Sequence, residues 1–222
     1  MSNELSEFLG GSTNLMPAKS AAEAFRQVDQ AREVSNDFVE GLEGHELLKF
    51  ASRTQRWLFG REGEPLGDDV IAVHPGSFRH GWCCWTEGQN AVCKGQEMVP
   101  ITEPMPLIEN LPDWKNEGRV TKQLQFDLQV FEGEFTGTPL RFRSNSYGGV
   151  SAVQDLAGAI ASRLETGEEE FIVPLIKLSH TTYQHKTWGT LGNPVFKVVS
   201  WVNSEGKAED EAPAPTTRRR SA

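Results

Sequence analysis

The chain has 222 residues, 37% hydrophobic and 24% charged, with a formal net charge of −9. That length can bury a substantial core, no apolar run is long enough to cross a bilayer, and no basic-then-apolar signal opens the sequence, so a cytoplasmic location without membrane contact is expected. The acidity opposes a polyanionic partner, but it is unevenly spread: 18 acidic against 10 basic residues in 1–116, 9 against 8 in 117–203, and 4 against 4 in 204–222.

Residues 1–19 are polar, contain Pro17 and lack periodicity, which predicts a disordered N-terminus. Over 21–38 the spacing of Ala24, Phe25, Val28 and Ala31 predicts a helix with one narrow apolar face, part of a helical extension spanning 20–56. Gly41 and Gly44 interrupt it, and 46–56 fits either a short strand or a helical turn. Short apolar runs at 57–59, 70–73 and 82–85, separated by turn signals, predict short strands. Pro100, Pro104, Pro106 and Pro112 make 100–113 an extended strap, since proline lacks the N–H that a helix needs. Alternation predicts strands at 124–130 and 140–143, the second with Arg141 and Arg143 facing outward. Val150, Val153, Leu156, Ala157, Ile160 and Leu164 recur at helical spacing, with Gly167 as the stop. The apolar runs 171–178 and 195–202 suit core strands joined by a long loop, 179–194. The acidic cluster Glu209, Asp210 and Glu211, an Ala-Pro repeat and Arg218 to Arg220 predict a disordered tail over 204–222.

Two strands, a helix and two more strands over 120–202 is the order of an oligonucleotide-binding (OB) barrel. The expected fold is therefore mainly β with α (α+β): a five-stranded OB-like barrel over 57–203 with one inserted helix, plus an N-terminal helix and disordered termini.

Single-stranded nucleic acid requires cations along its backbone and flat side chains on which bases stack. Lys122, Arg141, Arg143, Tyr147, Tyr183, His185, Lys186 and Trp188 interleave those two kinds and form the candidate nucleic-acid-binding set. The competing interpretation is that the aromatics pin a hairpin to the core while the arginines solubilise a sheet face. His74, His80, Cys83, Cys84 and Cys93 could compose a zinc site, but no CxxC pair occurs, and adjacent Cys83 and Cys84 would point to opposite faces of a strand; buried, reduced thiols are the simpler reading. No GxSxG, HExxH, GxGxxG or phosphate-cradling motif is present, so neither an enzyme nor a cofactor is expected.

The block LFGREGE with IAVHPGSFRHGWCCW, followed by the late block YQHKTWGTLGNPVFKVVSW, resembles a family of small proteins from tailed bacteriophages and prophages. The resemblance implies a phage-encoded protein in the host cytoplasm and supplies no catalytic residues. It departs from familiar single-strand binders in its final residues, Arg218 to Ala222, where those proteins carry an acidic-hydrophobic tip. The expectation is a non-enzymatic single-stranded DNA-binding protein of replication or recombination, with phage or host replication proteins as further partners and homo-oligomerisation open. The alternatives are a virion structural or assembly protein and a zinc-binding module.

Overall fold

The computed structural model describes residues 44–209 except 89, 90 and 169. The helix expected over 21–38, the N-terminal segment 1–19 and the tail beyond 209 lie outside them. The described chain is mainly β with one helix, built on a ten-stranded open mixed sheet.

Its organiser is β7 (Arg119–Glu132), a 14-residue strand in which Leu124, Phe126, Leu128 and Val130 alternate with Gln123, Gln125, Asp127 and Gln129. Period-two patterning sends the first set to the core and the second to the opposite face. One edge of β7 is shared by two strands in succession. β4 (Val70–Val73) pairs its C-terminal half and β5 (Arg79–Trp85) its N-terminal half. Between them the chain breaks at a 3-10 turn, Pro75–Ser77, where the imidazole Nδ1 of His74 accepts from the Gly76 amide at 3.1 Å. β6 (Cys93–Pro100) extends the β5 side, while β9 (Val173–His185) and then β10 (Gly189–Val202) extend the β4 side.

The other edge of β7 carries β8 (Pro139–Ser144), and here the barrel expectation fails. β8 is followed by β1 (Glu46–Ala51) in parallel, then β2 (Arg56–Phe59) and β3 (Glu64–Pro65). An edge strand that would have to close a five-stranded barrel instead accepts a new neighbour, so the sheet stays open. The physical cause lies in Leu47 and Leu48, whose burial draws 46–51 into the sheet; the described part of the anticipated helical extension is strand and turn.

The only helix among the described residues, α1 (Tyr147–Glu165), starts three residues earlier than its apolar periodicity. Ser146 caps it, accepting from the Gly149 amide at 3.1 Å. Val150, Val153, Leu156, Ala157, Ile160 and Leu164 are all buried, and Gly167 ends the helix at φ 84°. The helix packs on β10, β7 and β8. Aromatic rings fill the space between the sheet's ends: Trp57 lies 5.8 Å from Phe142 and 5.3 Å from Phe196, and Phe126 5.2 Å from Phe196, centroid to centroid.

Two further expectations change. The supposed loop 179–194 is mostly ladder, because β9 continues to His185 and β10 begins at Gly189; only Lys186, Thr187 and Trp188 turn the corner. The proposed tail begins ordered, with Ala208 bridging Val202 and Glu209 accepting from Arg163 Nη2 at 2.6 Å. The strap does cross the sheet, though 3-10 turns at Ile108–Asn110 and Asp113–Asn116 interrupt it. The Trp82 indole donates to the Pro106 carbonyl at 2.7 Å, and His80 Nε2 lies 2.9 Å from the Glu103 carbonyl. No described helix is long and apolar enough to cross a membrane.

Candidate nucleic-acid interface

The eight residues of the candidate set do not form one surface. Arg141 and Arg143 stand opposite Asp127 and Gln125 on the face of β7 and β8 turned away from the aromatic core. Arg141 is already used. Its Nε donates to Asp127 Oδ1 at 2.6 Å and its Nη2 to Oδ2 at 3.0 Å, a bidentate pair with side chains only 15% and 16% exposed. Arg143 donates through Nε to Gln125 at 3.2 Å, its Nη1 is buried without an acceptor, and burial, then neighbouring Arg141, lowers its pKa. Lys122 follows the alternation to the other face, with Nζ 5.9 Å from the Trp82 ring beside the strap. These three cations are therefore packed into the body, on two different faces, for local reasons.

Tyr183, His185, Lys186 and Trp188 do come together, at the end of the β9–β10 hairpin. β4 pairs β9 only at Leu175, Ile176 and Lys177, so the hairpin beyond Leu178 projects with no strand on that side among the described residues. Every residue from 180 to 190 is exposed, Tyr183 at 40% and Trp188 at 56%. Gly189, at φ 75°, supplies the left-handed step that closes a three-residue hairpin loop. Tyr147, also exposed, opens α1 near the arm's base, where its neighbour Gly148 lies against Asn193 of β10.

The arm is braced by the β1–β2 turn. The Ser52 carbonyl accepts from the Gly192 amide at 2.9 Å, Ser52 Oγ donates back to the Gly192 carbonyl at 2.6 Å, and the Trp57 indole donates to the Ser179 carbonyl at 2.9 Å. Gly192 is required by this close approach, since a Cβ there would press on the Phe50 ring and the Gln55 side chain. Gln55 itself has φ 56°, the one non-glycine among the described residues in the left-handed region.

The turn brings a residue that the sequence reading missed. The guanidinium of Arg53 lies 4.4 Å from the Trp188 ring centroid, a cation–π contact between positions 135 residues apart, and the His185 ring meets the same indole edge-on at 6.2 Å. The signal available in sequence was a charge gap. Residues 47–59 and 171–203 contain Lys49, Arg53, Arg56, Lys177, Lys186 and Lys197 but no Asp or Glu, in a chain with 31 acidic residues. Nothing in the linear pattern says that those two gaps become neighbours.

The cysteine-histidine group is dispersed. Cys83 is buried, its Sγ accepting from the Trp85 indole at 3.2 Å and the Asn145 amide at 3.5 Å. Cys84 points to the opposite face, and burial raises the pKa of both Cys84 and Cys93. Among the described residues no group of three or more His, Cys, Asp or Glu could hold a metal ion. Comparison with protein-family models, with curated proteins and with solved structures finds no match to this chain.

Proposed function

We propose that the chain binds single-stranded nucleic acid, DNA in the first instance, on the lobe made by the β9–β10 hairpin and the β1–β2 turn. The observation that carries this reading is the exposed Trp188 indole beside the Arg53 guanidinium on a lobe whose strands and turns hold no carboxylate. Bases stack on Trp188 and Tyr183, while Arg53, Arg56 and Lys186 supply charge to the phosphates. This division of labour needs no base-specific hydrogen bonds and tolerates any sequence. Arg141, Arg143 and Lys122 leave the interface, because each is engaged or packed elsewhere. The resemblance of the two sequence blocks to phage and prophage proteins implies a phage-encoded protein, and replication or recombination is the setting proposed for it.

The test is a fluorescence titration of the full chain with labelled oligonucleotide. Trp188→Ala weakens binding by about 1–3 kcal/mol, roughly 5- to 150-fold, the worth of one base stack. Lys122→Gln leaves affinity unchanged. Absence of binding by the wild type at low salt, where phosphate contacts are strongest, defeats the proposal.

A second reading has one observation of its own: a projecting two-stranded arm is also a way to clasp a neighbouring subunit in a virion. Mass spectrometry of purified particles separates the two, since an assembly protein is present there in stoichiometric amounts.

A further inference from the structure

The hairpin carries a second feature, away from its tip. Lys177 and Lys197 stand directly opposite each other in the β9–β10 ladder, and both side chains are exposed. Like charges in this cross-strand position destabilise a sheet unless something neutralises them. Among the described residues neither lysine has an ion-pair partner. On the β9 side the next residue in the row is Val70 of β4, and the first carboxylate in it, Glu132 of β7, is two strands from Lys177, roughly 10 Å at the usual strand spacing. On the β10 side no further strand lies among the described residues.

The ladder runs without a bulge from this pair to the tip, because its single irregularity falls between Val198 and Ser200. Period-two alternation therefore places Lys177, Ser179, Thr181 and Tyr183, with their partners Lys197, Val195, Asn193 and Leu191, on one face of the arm. Tyr183 lies six positions along the strand from Lys177, a span of roughly 20 Å at the rise of an extended strand.

We propose that Lys177 and Lys197 form a phosphate grip that continues the Tyr183 side of the tip site, so that a single strand lies lengthwise along this face, opposite the one that Gly192 turns to the β1–β2 turn, its backbone held at the base of the arm and its bases stacked at the end. The inference rests on the reading of the tip as a nucleic-acid site and adds its direction, its length and two residues. With stacked bases at about 3.4 Å each, the span corresponds to about six nucleotides.

The experiment measures binding of oligothymidylates of increasing length to the full chain across a range of salt, for wild type, Trp188→Ala and the double variant Lys177→Gln/Lys197→Gln. Both lysines are exposed, and circular dichroism checks that the double variant folds. Expected for the wild type is an affinity that climbs with length until about six nucleotides and then levels off. In the double variant the slope of log K against log salt falls by about 1.4, since each phosphate neutralised on a single strand contributes about 0.7. Trp188→Ala weakens binding with little change in slope. If the wild type binds and Trp188→Ala weakens it, but the double variant keeps the wild-type slope, the grip is refuted and the tip reading survives. If the wild type binds no oligonucleotide at low salt, both fall. If polyglutamate of matched charge displaces the oligonucleotide equally well, the face serves an acidic protein and the phosphate grip is overturned.

Discussion

Arg141 shows how a cation that looks free in sequence is spent in structure. Sequence alternation places it on the outward face of its strand, and the register then sets it opposite Asp127, with which it forms a two-point contact largely shielded from water. Removing the arginine leaves a largely buried carboxylate without this two-point contact, with His45 Nε2 3.9 Å from its Oδ2. Arg141→Ala is expected to lower unfolding free energy by about 3 kcal/mol, and Arg141→Ala/Asp127→Ala to recover part of that loss; urea denaturation of the single and double variants checks it. At the hairpin tip the residue types were legible and their company was not. Tyr183, His185, Lys186 and Trp188 lie within six positions of one another, so any strand-turn-strand geometry keeps them close. Arg53 reaches Trp188 only because the β1–β2 turn is folded against the arm.

Local pattern identified the elements wherever a single face had to be buried. The alternation of β7 and the helical spacing of α1 were both correct, and so was the order strand, strand, helix, strand, strand from β7 to β10. Polar residues that extend a ladder leave no such pattern. Residues 179–185 and 189–194 carry no apolar alternation because no core faces most of that arm, yet the backbone continues to pair. Close backbone approaches were equally illegible. Gly81 lies in β5 between β6 and β7, and a Cβ there would overlap the Glu97 carbonyl oxygen, a backbone atom that cannot swing aside. Gly81→Ala should therefore destabilise at the upper end of overpacking changes, about 3 kcal/mol. Gly158, inside α1 with no heavy atom near its missing Cβ, is the contrast: Gly158→Ala is expected to stabilise by about 0.5–1 kcal/mol, and thermal unfolding of the two variants should move in opposite directions.

At the scale of the molecule, the two halves of the sheet are joined where the chain leaves β4 for β5, and His74 caps the turn between them. Burial lowers the pKa of His74 from 6.5, and nearby His45 acts in the same direction; Asp127 and the histidine's own backbone hydrogen bond oppose the shift. In the interval between the lowered native value and 6.5 the unfolded chain binds a proton that the native chain does not. Stability therefore rises with pH across that interval and is lost as pH falls through it. Protonation also removes the Nδ1 acceptor from the Gly76 amide. His74→Asn retains a side-chain acceptor at the cap without the titration, so its urea midpoint is expected to depend less on pH below 6.5 than that of the wild type. Among the described residues, composition and local patterning determined a mainly β chain and the amphipathic helix α1, because burial periodicity acts within a few residues. Whether the sheet closes, and which distant side chains share a surface, was decided only by tertiary structure. Both depend on which strand captures a free edge: β1 beside β8 keeps the sheet open, and the turn that follows β1 delivers Arg53 to Trp188.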